Sequence, residues 1–537
     1  MSPKDEPPLE SLAYQLYRSV TKASDGVRRV LVGEVSQTTL EHAATSLVAA
    51  GDHTRASCAN HTARTYYEQA QMIIQALGQG LDRRWVGCFE GLGEAASRLG
   101  DFPVALDSLE YAFGMLRRGR MTPEHRRHAA DLARRIGRIH ATQANTEEAL
   151  GWMEEGLRTL GVTPGGPETL LDPLDRACAA LLHIHTGSTH YLQGDFQAAR
   201  EACLHGLALA EEVNAESAIA EGCNLLGAIL DAQGQGQRAL EYYQRSYGLY
   251  EAMNDRYQLA RVGDNIGTAL FYLGEWDESF EWDQKGLTFW RDIDDRDNTA
   301  FAAINIGMIY LYRGQWDQAE EHFREGRRLS GEVKNYRILA LSHTNLGLLS
   351  LAQGEFEQGS RGARERGSRI DEGREHLERS LALLMEHDIE DYLVETYCGL
   401  AEAAVLAGDR TQALEKGRMA LEAARELELP SEESIALRLL GQACWLASDP
   451  PTGAGRDLDE AEEHLKQSLA VAKGSEIAFE VGRALVELAR LYGETGREAE
   501  GLALLDRAVE ILERLGAAPM LARAREVKTN LRGGKET

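Results

Sequence analysis

A forty-residue period constrains this chain more than any other feature of its sequence. Asn265-Ile266-Gly267, Asn305-Ile306-Gly307 and Asn345-Leu346-Gly347 recur at that interval, each followed seven residues later by Gly274, Gly314 or Gly354. Similar apolar–small pairs run from Leu92-Gly93 and Ile136-Gly137 through Thr186-Gly187 and Leu226-Gly227 to Leu400-Ala401, Leu440-Gly441 and Leu488-Ala489. Self-similarity at such a period belongs to solenoids, in which each unit buries its apolar face against its neighbours rather than in one central core. The 537 residues therefore predict one elongated repeat array, not several globular domains.

The repeating unit reads as two antiparallel helices. Gly100, Gly194, Gly234, Gly274, Gly314, Gly354, Gly408 and Gly496 stand where a first helix must stop in a left-handed residue. Ala105, Ala149, Ala199, Ala239, Ala319, Ala413 and Ala461 fall at one place on the second helix, where a small side chain lets the helices approach. Abundant Ala, Leu, Glu and Arg with only 12 prolines is helical composition, so the fold class is all-α.

A net charge of −27 excludes a broad nucleic-acid footprint, which needs a basic face. Seven cysteines, widely spread and without a CxxC pair, read as reduced, mostly packed thiols of a cytoplasmic protein. No apolar run is long enough for a membrane span. No GxSxG, HExxH or GxxxxGK[ST] motif occurs, so neither an enzyme nor a cofactor is expected. His183, His185 and His190 do not share a helix face, and Asp292, Asp294, Asp295 and Asp297 are interrupted by Arg296 where a calcium ligand should stand. No metal is expected at either place.

Several boundaries follow. Residues 1–8 read as a disordered leader, 9–161 as a helical block of atypical repeats, and 162–178 as a Pro/Gly-rich connection. Residues 179–517 form the regular array, with insertions near 359–372 and 449–459. Residues 518–537 supply a capping helix and tail.

Ile306-Gly307, Tyr310, Gly314, Trp316, Ala319, Phe323 and Gly326 together resemble the tetratricopeptide-repeat motif nearly in full. The resemblance covers roughly residues 44–515, about ten or eleven repeats, and implies a right-handed superhelical solenoid. The forty-residue length is similar to the arrays of kinesin light chains, GoLoco-type adaptors and bacterial peptide-sensing regulators. Residues 40–190 also resemble repeats that follow the ATPase module of bacterial signalling ATPases.

By that resemblance, one stripe of the first helices lines a concave groove. It reads Arg261, Asp264, Asn265, Thr268 and Tyr272, then Phe301, Asn305, Met308 and Tyr312, then Asn345 and Leu348, with Asn224 one residue out of register. An asparagine amide both donates and accepts, matching a peptide backbone whatever its side chains. Helices about 8–10 Å apart and a strand advancing about 3.3 Å per residue would let successive asparagines hold every third peptide residue. The expected role is a scaffold or adaptor binding a protein or peptide partner, with self-association as a further option. The alternative is a regulatory sensor subunit that changes shape or oligomeric state on binding. Arg361, Arg364, Arg366 and Arg369 form a basic run that could meet an acidic partner, set against the reading of a solvated loop.

Overall fold

The computed structural model describes residues 37–56, 59–78, 82–143, 145–162, 172–356, 363–387, 389–390, 392–446 and 457–533. The expected leader, Cys58, Arg361 and residues 163–171 and 447–456 lie outside them. Among the described residues there are twenty-three α-helices, one 3-10 turn and no strand. The chain is an all-α solenoid of tandem antiparallel helix pairs.

Two compact units divide the chain, Met1–Leu225 and Leu226–Thr537. The helices run α1 Gln37–Ala56, α2 Asn60–Ala76, α3 Val86–Arg98, α4 Phe102–Arg117, α5 Pro123–Thr142, α6 Thr146–Leu160, α7 Pro173–Leu192, α8 Phe196–Glu212 and α9 Glu216–Ala232. They continue with α10 Gly236–Ala252, α11 Arg256–Leu273, α12 Trp276–Asp292, α13 Arg296–Arg313, α14 Trp316–Val333, α15 Tyr336–Phe356 and α16 Ala363–Glu386. Last come α17 Leu393–Ala407, α18 Arg410–Glu426, α19 Pro430–Trp445, α20 Leu458–Gly474, α21 Ala478–Glu494, α22 Glu498–Leu515 and α23 Ala518–Gly533.

The turn chemistry explains the pairing. Gly274 and Gly314 end α11 and α13 at φ +87° and +76°, the left-handed region that glycine enters without strain. Where Asp follows such a glycine, it caps the next helix: Asp195 accepts from the Ala198 N–H and Asp409 from the Gln412 N–H. Gly354 is a correction. It lies inside α15, which runs on to Phe356, because here the two helices are joined by an insertion and no tight stop is needed. Its small size serves packing instead, since a Cβ there would meet the Arg369 Cβ at 3.3 Å. The connections between repeats use another device, legible only in the structure: Asn214, Asn254, Asp294 and Lys334 all have φ between 53° and 58°, forty residues apart.

Both insertions are partly helical or outside the described residues. Residues 363–372 belong to α16, and 173–178 of the expected connection already belong to α7. The six described cysteines are free thiols, five of them buried.

Within the second unit the chain returns on itself. Gly274, at the end of α11, lies against Ala478 and Leu515, and Gly314 against Pro519 at the start of α23. Trp276 and Tyr312 meet the ring of Phe479 on α21 at centroid distances of 5.6 and 4.4 Å. The first helices of the successive repeats thus surround a common interior.

Candidate functional site

That interior holds a cavity of about 350 Å³, within the size range of ligand sites. Its wall comes mainly from the first helix of each repeat: Thr268, Phe271 and Tyr272 on α11; Phe301, Asn305, Met308 and Tyr312 on α13; Asn345 and Leu348 on α15; Glu402 on α17; Glu432 on α19; Arg483 on α21; and Met520 on α23. Second helices contribute Trp276, Asp283 and Trp316.

Of the residues singled out from the sequence, Thr268, Tyr272, Phe301, Asn305, Met308, Tyr312, Asn345 and Leu348 come together on this wall. Arg261, Asp264 and Asn265 are not among its lining residues. Asp264 is 6% exposed and turns into the contact with α12, where Trp290 Nε1 donates to its Oδ2 at 2.7 Å. Gly286 leaves the room, because a Cβ there would stand 2.1 Å from the Asp264 Oδ1. The stripe was drawn from helical periodicity, which cannot tell an interior face from a helix–helix crossing one residue away. Asn224 is buried in the first unit.

The asparagines differ among themselves. Asn345 is 3% exposed and its Nδ2 donates to the Leu341 carbonyl at 3.0 Å, one turn back on its own helix. Among the described residues its Oδ1 has no hydrogen-bond partner, and neither has Asn305 Nδ2. Of the basic run, Arg364 sits on the first turn of α16, Arg366 is exposed and Arg369 pairs with Glu372 at 2.9 Å. Elsewhere, His185 is buried and its Nε2 meets Arg134 at 2.9 Å, while the His183 ring packs edge-on against His205.

Adjoining the first cavity, and sharing Glu355, Glu402, Arg483 and Met520 with it, is a polar one of about 300 Å³. Here carboxylates and guanidinium groups are matched. Arg483 bonds Glu402 at 2.6 Å and Glu480 at 3.3 Å, Arg438 bonds Glu480 at 3.1 Å, and Arg490 bonds Glu487 at 2.6 Å. Arg523 reaches from α23 to Glu355 on α15. Burial alone would raise the Glu487 pKa, but Arg490 and Arg523 reverse it and hold the carboxyl down at about 2.

Two carboxyls of the aromatic cavity without an ion pair among the described residues, Glu432 and Asp283, behave oppositely. Burial pushes Glu432 up to about 7, and Asp283 rises well above the carboxylate range through burial and the nearby Asp264, against a smaller opposing pull from Asn305 and Ser279. Tyr272, on the same wall, is raised by burial and then by Glu432 and Glu395.

Sequence reasoning missed Phe271, Trp276, Glu402, Glu432, Phe479, Arg483, Pro519 and Met520. Phe479, Arg483, Pro519 and Met520 reach the site through the return of α21 and α23 onto α11 and α13, and no local pattern marks that return. Of possible metal ligands, Cys444, Glu460 and His464 bring one donor atom each within 4.8 Å of one another on α19 and α20.

Two tetratricopeptide-repeat family profiles match residues 223–257 and 258–332. Residues 223–332 therefore carry tetratricopeptide repeats. No curated protein sequence matches it significantly. Among solved structures, a Rap protein complexed with competence and sporulation factor shares the fold at 11% identity and a TM-score of 0.53, covering 72% of this chain and 99% of its own. The apo quorum sensor NprR from B. thuringiensis scores 0.44 at 12% identity, covering 72% and 99%. Aspartyl phosphate phosphatase F from Bacillus subtilis scores 0.42 at 11%, covering 73% and 95%. Among the described residues, no helix is long and apolar enough to cross a membrane.

Proposed function

We propose that this chain is a non-catalytic adaptor or sensor that captures a protein or peptide segment inside its second unit. The observation that carries the reading is the convergence of seven successive first helices on one aromatic-lined cavity bearing two asparagines with open hydrogen-bonding capacity. Asn305 offers a donor and Asn345 an acceptor, the two functions an extended backbone requires. Phe301, Met308, Tyr312 and Leu348 offer apolar contact around them. A Rap protein of the same fold was solved complexed with competence and sporulation factor, which supports a partner-binding role for such an array.

Screening the chain against a library of short peptides tests this. Wild type should enrich a defined set, and the Asn305→Ala, Asn345→Ala double variant should lose it while keeping its melting temperature. Unchanged enrichment by a folded double variant would sink the asparagine reading. Small-angle scattering with and without an enriched peptide then separates the two roles: an adaptor keeps its profile, a sensor changes it or its oligomeric state.

A further inference from the structure

Neighbouring repeats of the second unit differ at two core positions, and the difference is a pair of carboxyls. On each second helix one side chain packs against the glycine of the first helix: Tyr243 on Gly227, Phe323 on Gly307 and Leu377 on Gly347. Forty residues from both Tyr243 and Phe323, that place belongs to Asp283, whose Oδ1 lies 2.6 Å from where a Cβ would stand on Gly267. The reciprocal position changes too. Ile304 packs on Gly326, and forty residues earlier Asp264 packs on Gly286.

One repeat has thus exchanged two apolar core side chains for carboxyls, against its own pattern and at a cost in burial. A local rule broken without a stabilising gain marks a place held for function. Trp290 holds the Asp264 Oδ2, the Asp264 Oδ1 has no hydrogen-bond partner among the described residues, and Asp264 does not line the cavity. Asp283 is 1% exposed, its Oδ1 has no hydrogen-bond partner among the described residues, and it lines the cavity with Asn305.

The charge of the whole wall points the same way. Among the described residues, Asp283, Glu355, Glu395, Glu402, Glu432 and Glu480 line the cavity against the single guanidinium of Arg483. Arg483 is spent on Glu402 and Glu480, and Glu355 is held by Arg523. Asp283 and Glu432 have no ion pair among the described residues. Aromatic faces around such carboxyls add cation–π attraction, and the flanking Phe301 and Met308 want an apolar neighbour.

We infer that the cavity receives the basic side chain of a short apolar peptide, with Asp283 as the carboxyl that takes its ammonium or guanidinium group and Glu432 completing the negative wall. The inference rests on the reading of the interior as a peptide site and names the chemistry that site selects.

The test uses the full chain and three probes: blocked Leu-Lys-Leu, blocked Leu-norleucine-Leu and spermidine. Binding is followed by calorimetry and by the fluorescence of Trp276 and Trp316, both on the wall. The lysyl peptide should bind wild type at least about tenfold tighter than the norleucyl peptide, a difference of about 1.4 kcal/mol. The double variant Asp264→Ile, Asp283→Phe copies the next repeat; it should melt higher than wild type and lose the preference. Asp283→Asn, which keeps the shape, should lose it as well and covers the case in which the double variant fails to fold.

Equal affinity for both peptides would overturn the inference, as would a preference that survives in Asp283→Asn, absence of binding by either peptide, or spermidine matching the lysyl peptide. Equal affinity leaves the interior standing as a peptide site, whereas loss of the asparagine effect in the library screen strikes the broader reading alone.

Discussion

The two adjoining cavities of the second unit are built on the same helices yet treat charge in opposite ways. In the polar one, every carboxylate named above has a guanidinium within reach, and Glu487 is held at about 2 despite full burial. In the aromatic one, Glu432 has drifted up to about 7 and Asp283 higher than any ordinary carboxyl. A matched buried pair holds a shape, because removing one partner strands the other. An unmatched carboxyl in an apolar wall costs stability, a cost that a counter-charge from a partner would offset. The contrast supports the proposal that the ionic cavity closes the unit while the aromatic cavity receives the partner.

The harshest way to break the comparison is at the shared residue. Arg483→Met leaves Glu402 without its guanidinium and Glu480 with Arg438 alone, and should destabilise the second unit by about 3–5 kcal/mol, measured by urea unfolding. A loss below about 1 kcal/mol would mean the ionic cavity does not hold α21 in place.

Acid dependence comes next. Burial raises Asp264 to about 7, against about 3.9 in an unfolded chain. Between those values the folded state keeps a proton that the unfolded state has lost, so the stability is fully present in acid and is lost as pH rises through 7. From pH 5 to 7 the fall is about 2–3 kcal/mol at about 1.4 kcal/mol per unit. Asp264→Asn can still accept the Trp290 bond and should flatten that slope in thermal unfolding at pH 5, 6, 7 and 8; an unchanged slope refutes the assignment.

The contrast sharpens with a pair of isosteric changes read at pH 7.5. Glu487→Gln should cost about 1–3 kcal/mol, since charged hydrogen bonds are lost, whereas Glu432→Gln should leave stability unchanged or raise it. Equal losses would erase the distinction between the cavities. The smallest effect belongs to the asparagines, where each of Asn305→Ala and Asn345→Ala should weaken capture of a screened peptide by about 1 kcal/mol.

Much of the fold was legible because the information is local. The turn glycines at Gly274 and Gly314, the small residues at helix crossings and the paired helices all follow from backbone sterics within one unit. Gly354 escaped because the downstream insertion, not the glycine, decides where α15 ends. The wall from Thr268 to Leu348 was legible in part, since period and face coincide there. Asp264 was misplaced by one helical position, because the glycine that admits it, Gly286, sits on another helix. Asp283 was overlooked although its signal was present: it interrupts the Tyr243–Phe323 series at the same forty-residue step that revealed the repeats.

By itself, then, the sequence determined a helical repeat array, its period and the chemistry of most of one interior stripe, since each of these depends on nearest neighbours. Only the tertiary structure decided that Phe479, Arg483, Pro519 and Met520 share a wall with Trp276 and Tyr312, some two hundred residues upstream. That meeting depends on small rotations between successive repeats. Their sum closes the interior, and no single residue records it.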